Sequence, residues 1–394
     1  MYDIQSFVKE HRNDNVCELA LRAHTFSADD FKYALQQIEG WQRAQKKLPT
    51  WAQTDGIQFP PHLNMEQCSS EMTAQYKAEI VDGGENVTDL TAGFGVDAAI
   101  LGKKFDYLTY VDQNETLCKI ASNNLPLLGV KDFQVVCGKA EEVLQKLPHH
   151  SLIFIDPARR DANGGKVISI ADCTPNVALM QERLMEHADT VMVKLSPMLD
   201  VVNMERELRQ ISEIHVVSVD NECKELLVKM QHNCLSVRIY CVNLFSSGDK
   251  DVFTFTRDEE KVAECKYTTE MGKYIYEPNA SIMKAGCYKT LASRLGLVKL
   301  HPNSHLYTSF VDEPVKNFPG RCFKVESSST LNKKFIKTVF GGIEKANLTV
   351  RNFPMSVAEL RNKLKLREGG DLYLFATTMA DEKKVLIISS SFSS

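Results

Sequence analysis

The sequence predicts an α/β protein: a doubly wound, mostly parallel sheet, preceded by a helical region and followed by smaller α+β domains. Three observations predict it. Strand-like and helix-like segments alternate from about residue 87 to residue 244. A glycine turn, Thr91-Ala-Gly-Phe-Gly95, follows the first of those strands. The chain has 394 residues, too many for one ordinary domain. The expected division is 1–82 helical, 83–248 doubly wound, and 249–325 and 326–394 as two α+β domains.

In chain order, residues 1–65 read as polar and helical. Ser27, three residues before Asp30, caps a helix from Ala28 to Arg43, and Pro60-Pro61 breaks the run. Residues 66–82 form a short helix opening near Ser69 or Ser70. Val87–Leu90 is a strand, and a helix begins about Ala98 after the glycine turn. Tyr107–Val111 is a strand ending at Asp112. The helix Leu117–Leu128 is broken by Pro126. Phe133–Cys137 is a strand, Ala140–Leu147 a helix, and Leu152–Ile155 a strand running into Asp156-Pro157. The helix Val177–Glu186, strand Val191–Leu195, helix Val202–Ile211 and strand Ile214–Val219 follow. Leu235–Leu244 alternates strongly and closes the domain. Short, fully apolar strands fit a sheet buried on both faces.

Polar Ser246–Asp249 marks a boundary. Beyond it, Val252–Thr256 reads as a strand and Ser281–Leu295 as a helix. The last segment reads β-α-β-like. A capping box, Ser356-Val-Ala-Glu359, opens a helix to Leu366, Gly369-Gly370 ends it, and Leu372–Ala376 and Val385–Ser389 are strands.

Composition narrows the function. Lys and Arg number 47 against 51 Asp and Glu, a net charge of −4 that argues against gripping nucleic acid with the whole surface. A local excess remains at 331–394, eleven basic against six acidic residues. Eleven scattered cysteines without a CxxC pair read as reduced thiols, not as a zinc ribbon or a thioredoxin site. The N-terminal residues lack the apolar core of a signal peptide, and no apolar run is long enough to span a membrane. The expectation is a cytoplasmic protein with no metal. His301-Pro-Asn-Ser-His305 has i, i+4 histidines, but Pro302 opposes a regular helix and no third ligand is evident.

The chemistry concentrates in Val87-Thr-Asp-Leu-Thr-Ala-Gly-Phe-Gly-Val-Asp97. Gly93 and Gly95 let the backbone approach a ligand with no Cβ in the way. A dinucleotide site wants GxGxxG, and here the third position is Ala98. Asp89, ahead of the turn, suits the ammonium of a methionine moiety better than a pyrophosphate. Asp112, at the end of the second strand, can accept both ribose hydroxyls of either ligand.

Asp89 to Asp97 resembles motif I of class I S-adenosylmethionine-dependent methyltransferases, with a Rossmann-like sheet. Its wording is similar to that of ribosomal RNA guanine-N2 methyltransferases. The resemblance implies that Asp89, Thr91, Ala92, Gly93, Phe94, Gly95 and Asp97 line the S-adenosylmethionine site. It implies further that Asp112 takes the ribose and that Gly138-Lys139-Ala140 borders the adenine. Asp156-Pro157-Ala158-Arg159 matches motif IV. These matches cover roughly residues 70–245. On YEPNASIMKAG (276–286) and RNFPMSVAELRNKLKL (351–366), the whole chain resembles a bacterial methyltransferase family with a ferredoxin-like insert and a THUMP-like C-terminal domain. That resemblance implies RNA as the partner.

One departure stands out. Amino-methylating enzymes carry an aromatic residue after Asp/Asn-Pro-Pro, whereas this chain has Ala158, Arg159 and Arg160, and arginine can stack on a base or hold phosphate. DPxR also resembles uracil-C5 methyltransferases, but Lys194-Leu-Ser196-Pro197 lacks the cysteine they need, and Cys223 reads as structural. The expected mechanism has Asp156 and the Pro157 carbonyl accept hydrogen bonds from an exocyclic amine. Arg159, Arg160, Lys194 and Ser196 position the base or its phosphate. Thr73, Tyr76 and Lys77 lie on a helix that either closes the cofactor site or presents a solvated face. The alternatives are a small-molecule or protein methyltransferase, a non-catalytic cofactor- or RNA-binding module, and a nicotinamide oxidoreductase. The last is disfavoured by Asp89 and by the lack of a hydride-transfer dyad.

Overall fold

The computed structural model describes residues 3–22, 25–159, 169–330 and 343–391, with the backbone only at Arg159. Contacts divide the chain into two compact units, Met1–Glu213 with Leu226–Leu235, and Ile214–Glu225 with Ser236–Ser394.

The first unit opens with helices. The longest, Ala28–Lys47, is capped by Ser27, whose Oγ accepts from the Asp30 N–H at 3.1 Å. It runs a turn past Arg43 because Ala44 is fully buried, and it stops where Pro49 begins the next helix. The helix Glu71–Glu79 is capped by Ser70.

The sheet follows. Strands β1 (Gly84–Asp89), β2 (Phe105–Asp112), β3 (Phe133–Cys137) and β4 (His150–Ile155) are parallel neighbours in the order β4-β1-β2-β3. A two-residue pair, β5 (Ala158–Arg159) with β6 (Cys173–Thr174), stands apart from it. Strand β7 (Ala188–Leu195) lies parallel to β4. The chain winds outward from β1 to β3, then returns to β4 on the other side of β1. That reversal sets the carboxyl ends of β1 and β4 side by side, the place where open α/β sheets bind ligands. Val87, Leu108, Tyr110, Phe154 and Met192 pack with Ala98, Leu101, Ile120 and Leu125 from the helices.

Two expectations fail locally. The helix Glu115–Leu127 contains Pro126 instead of breaking at it. The proline sits in the closing turn, where its missing N–H costs a single bond, and Leu125 is held in the core. The helix Val201–Glu207 ends early, and Ile211 instead starts β8 (Ile211–Val219). A strand that the sequence reading lacked, β9 (Glu222–Gln231), runs antiparallel to β7 from Thr190↔Gln231 to Leu195↔Leu226. Its middle is buried on both faces and includes charged Glu225 and Lys229, which hide the apolar run from a periodicity reading.

In the second unit β10 (Arg238–Leu244) and β11 (Lys250–Phe255) form an antiparallel pair. The expected helix Ser281–Leu295 is two helices, Ala280–Ala285 and Lys289–Leu295, because Gly286 turns left-handed at φ 75°. A seven-stranded sheet comprises β12 (Tyr274–Pro278), β13 (Val298–Lys299), β14 (Tyr307–Ser309), β15 (Gly320–Thr330), β16 (Asn347–Arg351), β17 (Leu372–Thr378) and β18 (Lys384–Ser391). Its order is β13-β14-β12-β15-β18-β17-β16. β16 and β17 are parallel and joined through the helix Val357–Leu364, the β-α-β unit the sequence predicts. The Ser356/Glu359 capping box is present, but Lys365 at φ 57°, not Gly369-Gly370, ends the helix.

Candidate cofactor and active site

The site is built at the reversal between β1 and β4. Leu90 N–H donates to Phe154 O at 3.0 Å, so the turn after β1 starts from a fixed point. Gly93 at φ 57° and Gly95 at φ 82° then adopt the left-handed backbone that favours glycine. At Gly95 a Cβ would also meet the Tyr110 ring at 3.3 Å. The Tyr110 hydroxyl donates to Gly93 O, and the Ala92 N–H to Val111 O at 2.9 Å. Asp112 fastens the other side: Oδ2 accepts from the Gly93 N–H at 2.9 Å and Oδ1 from the Asn114 N–H at 2.7 Å. Its carbonyl accepts from the Gly138 N–H at 3.0 Å, which ties in the turn before Lys139. Thr91 Oγ1 accepts from the Asp156 N–H at 2.6 Å and so links the ends of β1 and β4. Thr91, Gly93, Gly95, Asp112 and Asp156 therefore form one connected rim, and Ala92, Phe94 and Ala140 are buried behind it. Lys139 is exposed, 4.0 Å from Glu142.

The electrostatics are uneven. Asp89 is 1% exposed, and its carboxylate accepts one backbone N–H, from Thr91 at 3.0 Å. Among the described residues no ion pair reaches it. Burial, then the charge of Asp97, push its carboxyl well above the ordinary range, against the Thr91 hydrogen bond and with help from Asp156 and Asp112. Asp97 is also buried but lies 3.1 Å from the fully buried Lys77 ammonium and accepts from Ser69 Oγ at 2.6 Å. Burial alone would raise it; Lys77 and then Lys194 overcome that and hold it below the usual range.

The helix carrying Lys77 also buries Thr73 and Tyr76, so it packs against the site and is not a solvated face. Lys194, at the end of β7, pairs with Asp156 and also acts on Asp97. Pro157 is buried and Ala158 enters β5. Ser196 Oγ accepts from the Met198 N–H at 3.2 Å. Arg160 and the side chain of Arg159 lie outside the described residues. Sequence reasoning missed Ser69 and Tyr110, which no motif marks. Four carboxyl groups meet two ammoniums here, and among the described residues Asp89 is left without a counter-charge.

Elsewhere the two histidines of the 301–305 segment are engaged in packing. His301 Nε2 lies 2.9 Å from Glu382, and His305 stacks on Tyr288 with ring centroids 3.7 Å apart. Among the described residues no helix is long and apolar enough to cross a membrane.

Comparison with known proteins bears on the fold and the family. Residues 274–319 match the profile of a ferredoxin-like domain, and residues 320–390 that of a THUMP domain-like family. A crystal structure from Porphyromonas gingivalis W83, assigned as a methyltransferase, superposes with a TM-score of 0.90. It is 36% identical in sequence and covers 99% of this chain and 98% of its own. A Mycobacterium tuberculosis protein, named an uncharacterized S-adenosylmethionine-dependent methyltransferase in two strains, is 24% identical over 319 residues. That match spans 79% of this chain and 82% of the relative.

Proposed function

This chain belongs to the bacterial S-adenosylmethionine-dependent methyltransferases that carry ferredoxin-like and THUMP-like domains, and we propose that it methylates a base of rRNA or tRNA at an exocyclic amine, in the cytoplasm. The four segments 1–82, 83–248, 249–325 and 326–394 are its proposed domains.

The observation that carries the reading is Asp156 tied through Thr91 to the turn that lies between Asp89 and Asp112. The donor set fits the cofactor. Asp89 offers a buried carboxylate without a cation, suited to an ammonium, and Gly93 and Gly95 keep the turn free of side chains. Asp112 is spent on one N–H per oxygen and keeps lone pairs for ribose hydroxyls. Thr91, Ala92 and Phe94 shape the turn, and Lys139 and Ala140 border the adenine. Asp97 acts from behind, through Lys77.

Bound there, S-adenosylmethionine supplies a methyl group on a sulfonium, already electrophilic. The chain must align a nucleophile and exclude water. Asp156 accepts one N–H of the amine, and the Pro157 carbonyl accepts the other. This leaves the nitrogen lone pair facing the methyl. Lys194 holds the Asp156 carboxylate in place, and its own N–H on Thr91 couples it to the cofactor turn. The base leaves its stack to reach this site. Arg159, Arg160 and Ser196 are the proposed contacts to base or phosphate. The THUMP-like segment supports RNA as the partner.

The test is transfer of tritiated methyl from S-adenosylmethionine to total RNA from a deletion strain and from its parent. The expected result is label in the deletion-strain RNA alone, lost in Asp156→Ala. Protein that binds S-adenosylhomocysteine but labels neither RNA would move the reading to a small-molecule or protein acceptor.

A further inference from the structure

Two thiols flank Asp112, and the proposed chemistry uses neither. Cys118, buried in the helix Glu115–Leu127, has its Sγ 3.4 Å from the Asp112 carbonyl. Cys137 ends β3, stands in register with Asp112, is exposed, and has its Sγ 3.9 Å from the Gln113 carbonyl. The two thiols therefore reach the carbonyls of two consecutive residues, Asp112 and Gln113. They meet where the Asp112 carbonyl receives the Gly138 N–H and the Asp112 carboxylate receives the Gly93 N–H.

We propose that Cys118 and Cys137 form a reversible disulfide that weakens cofactor binding, an inference that rests on the placement of the cofactor against Asp112. The oxidant is a small disulfide such as glutathione disulfide. The Cys137 thiolate attacks it, one glutathione thiolate leaves, and a mixed disulfide remains. Cys118 then attacks the Cys137 sulfur and displaces the second glutathione, and its proton passes to that leaving thiolate. Two protein thiols are oxidised and one glutathione disulfide is reduced to two thiols.

Cys137 goes first because it is exposed. Cys118 is buried, and that burial, with Cys137 and Asp112 beside it, pushes its thiol up to about 12. A disulfide needs Cβ atoms about 3.5–4.5 Å apart and a dihedral near 90°. Both sulfurs must then leave the carbonyls of Asp112 and Gln113. The proposed weakening is carried by the loss of these two contacts at the strand end whose carboxylate holds the glycine turn.

The experiment compares full-length protein, reduced or treated with glutathione disulfide, by peptide mapping and by calorimetric titration with S-adenosylhomocysteine. The expected result is a Cys118–Cys137 linked peptide and an affinity lowered about tenfold, restored by dithiothreitol. Cys137→Ser should bind like the reduced protein and ignore the treatment. Absence of the linked peptide overturns the proposal, as does a linked peptide with unchanged affinity, or a Cys137→Ser protein that still responds. The underlying placement is read separately, on reduced protein: affinity that survives Asp112→Ala sinks the placement.

Discussion

Asp89 and Glu277 are both buried carboxylates on strands, at 1% and 4% exposure, yet their surroundings differ completely. Glu277, in β12, is gripped by Arg321 from β15 and by Arg351 at 3.2 Å. Asp89, ending β1, receives one backbone N–H and has three further carboxylates near it. Burying a charge costs free energy unless a counter-charge accompanies it. The chain supplies that charge to Glu277, which makes it part of the scaffold, and withholds it from Asp89. Asp97 shows that the difference is local, since one turn of chain away it has its own buried lysine. A buried acid that the protein pairs holds the fold; a buried acid left with a raised pKa is a candidate place for a cation from outside.

The comparison breaks most sharply at Lys77. Lys77→Met strands Asp97 in the core and should cost about 4 kcal/mol in urea unfolding. Adding Asp97→Asn should return much of it, because the orphaned charge disappears. A cost under about 1 kcal/mol would mean that this pair does not support the site.

Glu277→Ala comes next. It should destabilise the protein by about 3 kcal/mol, near the low end for a buried pair because both arginines reach water. S-adenosylhomocysteine affinity should stay as it was.

Asp89→Asn should do the reverse, lowering that affinity by roughly 30-fold, about 2 kcal/mol for a charged hydrogen bond, while leaving the fold intact. Its pH signature is specific. The Asp89 carboxyl is raised in the folded state, so its contribution to apo stability is fully present below the ordinary aspartate range. That contribution is lost as pH rises through the raised value. The melting temperature of the wild type should fall through that window, and that of Asp89→Asn should not. Because a cationic ligand pairs with ionised Asp89, binding should release a proton, seen as different calorimetric heats in buffers of different ionisation enthalpy. Equal proton release in wild type and variant would remove Asp89 from the ligand.

What could be read from the sequence is what short stretches of chain decide. The strand, the glycine turn and the helix after it, with Asp89 before and Asp112 at the next strand end, obey local rules: left-handed backbone falls to glycine, and parallel strands end where ligands bind. Ser27 and Ser356 cap their helices through residues three positions away. The doubly wound, mostly parallel sheet followed from the alternation of elements, but its strand order did not. Tertiary structure decided the rest. Lys77 finds Asp97, Lys194 finds Asp156, and Arg321 and Arg351 find Glu277 across long stretches of chain. Strand β9 reverses beside β7 although its own pattern looks like no half-buried strand. A charge on one segment says nothing about which distant segment will neutralise it. That choice is made by packing, when burial removes water and the only compensation left is what the neighbouring elements bring.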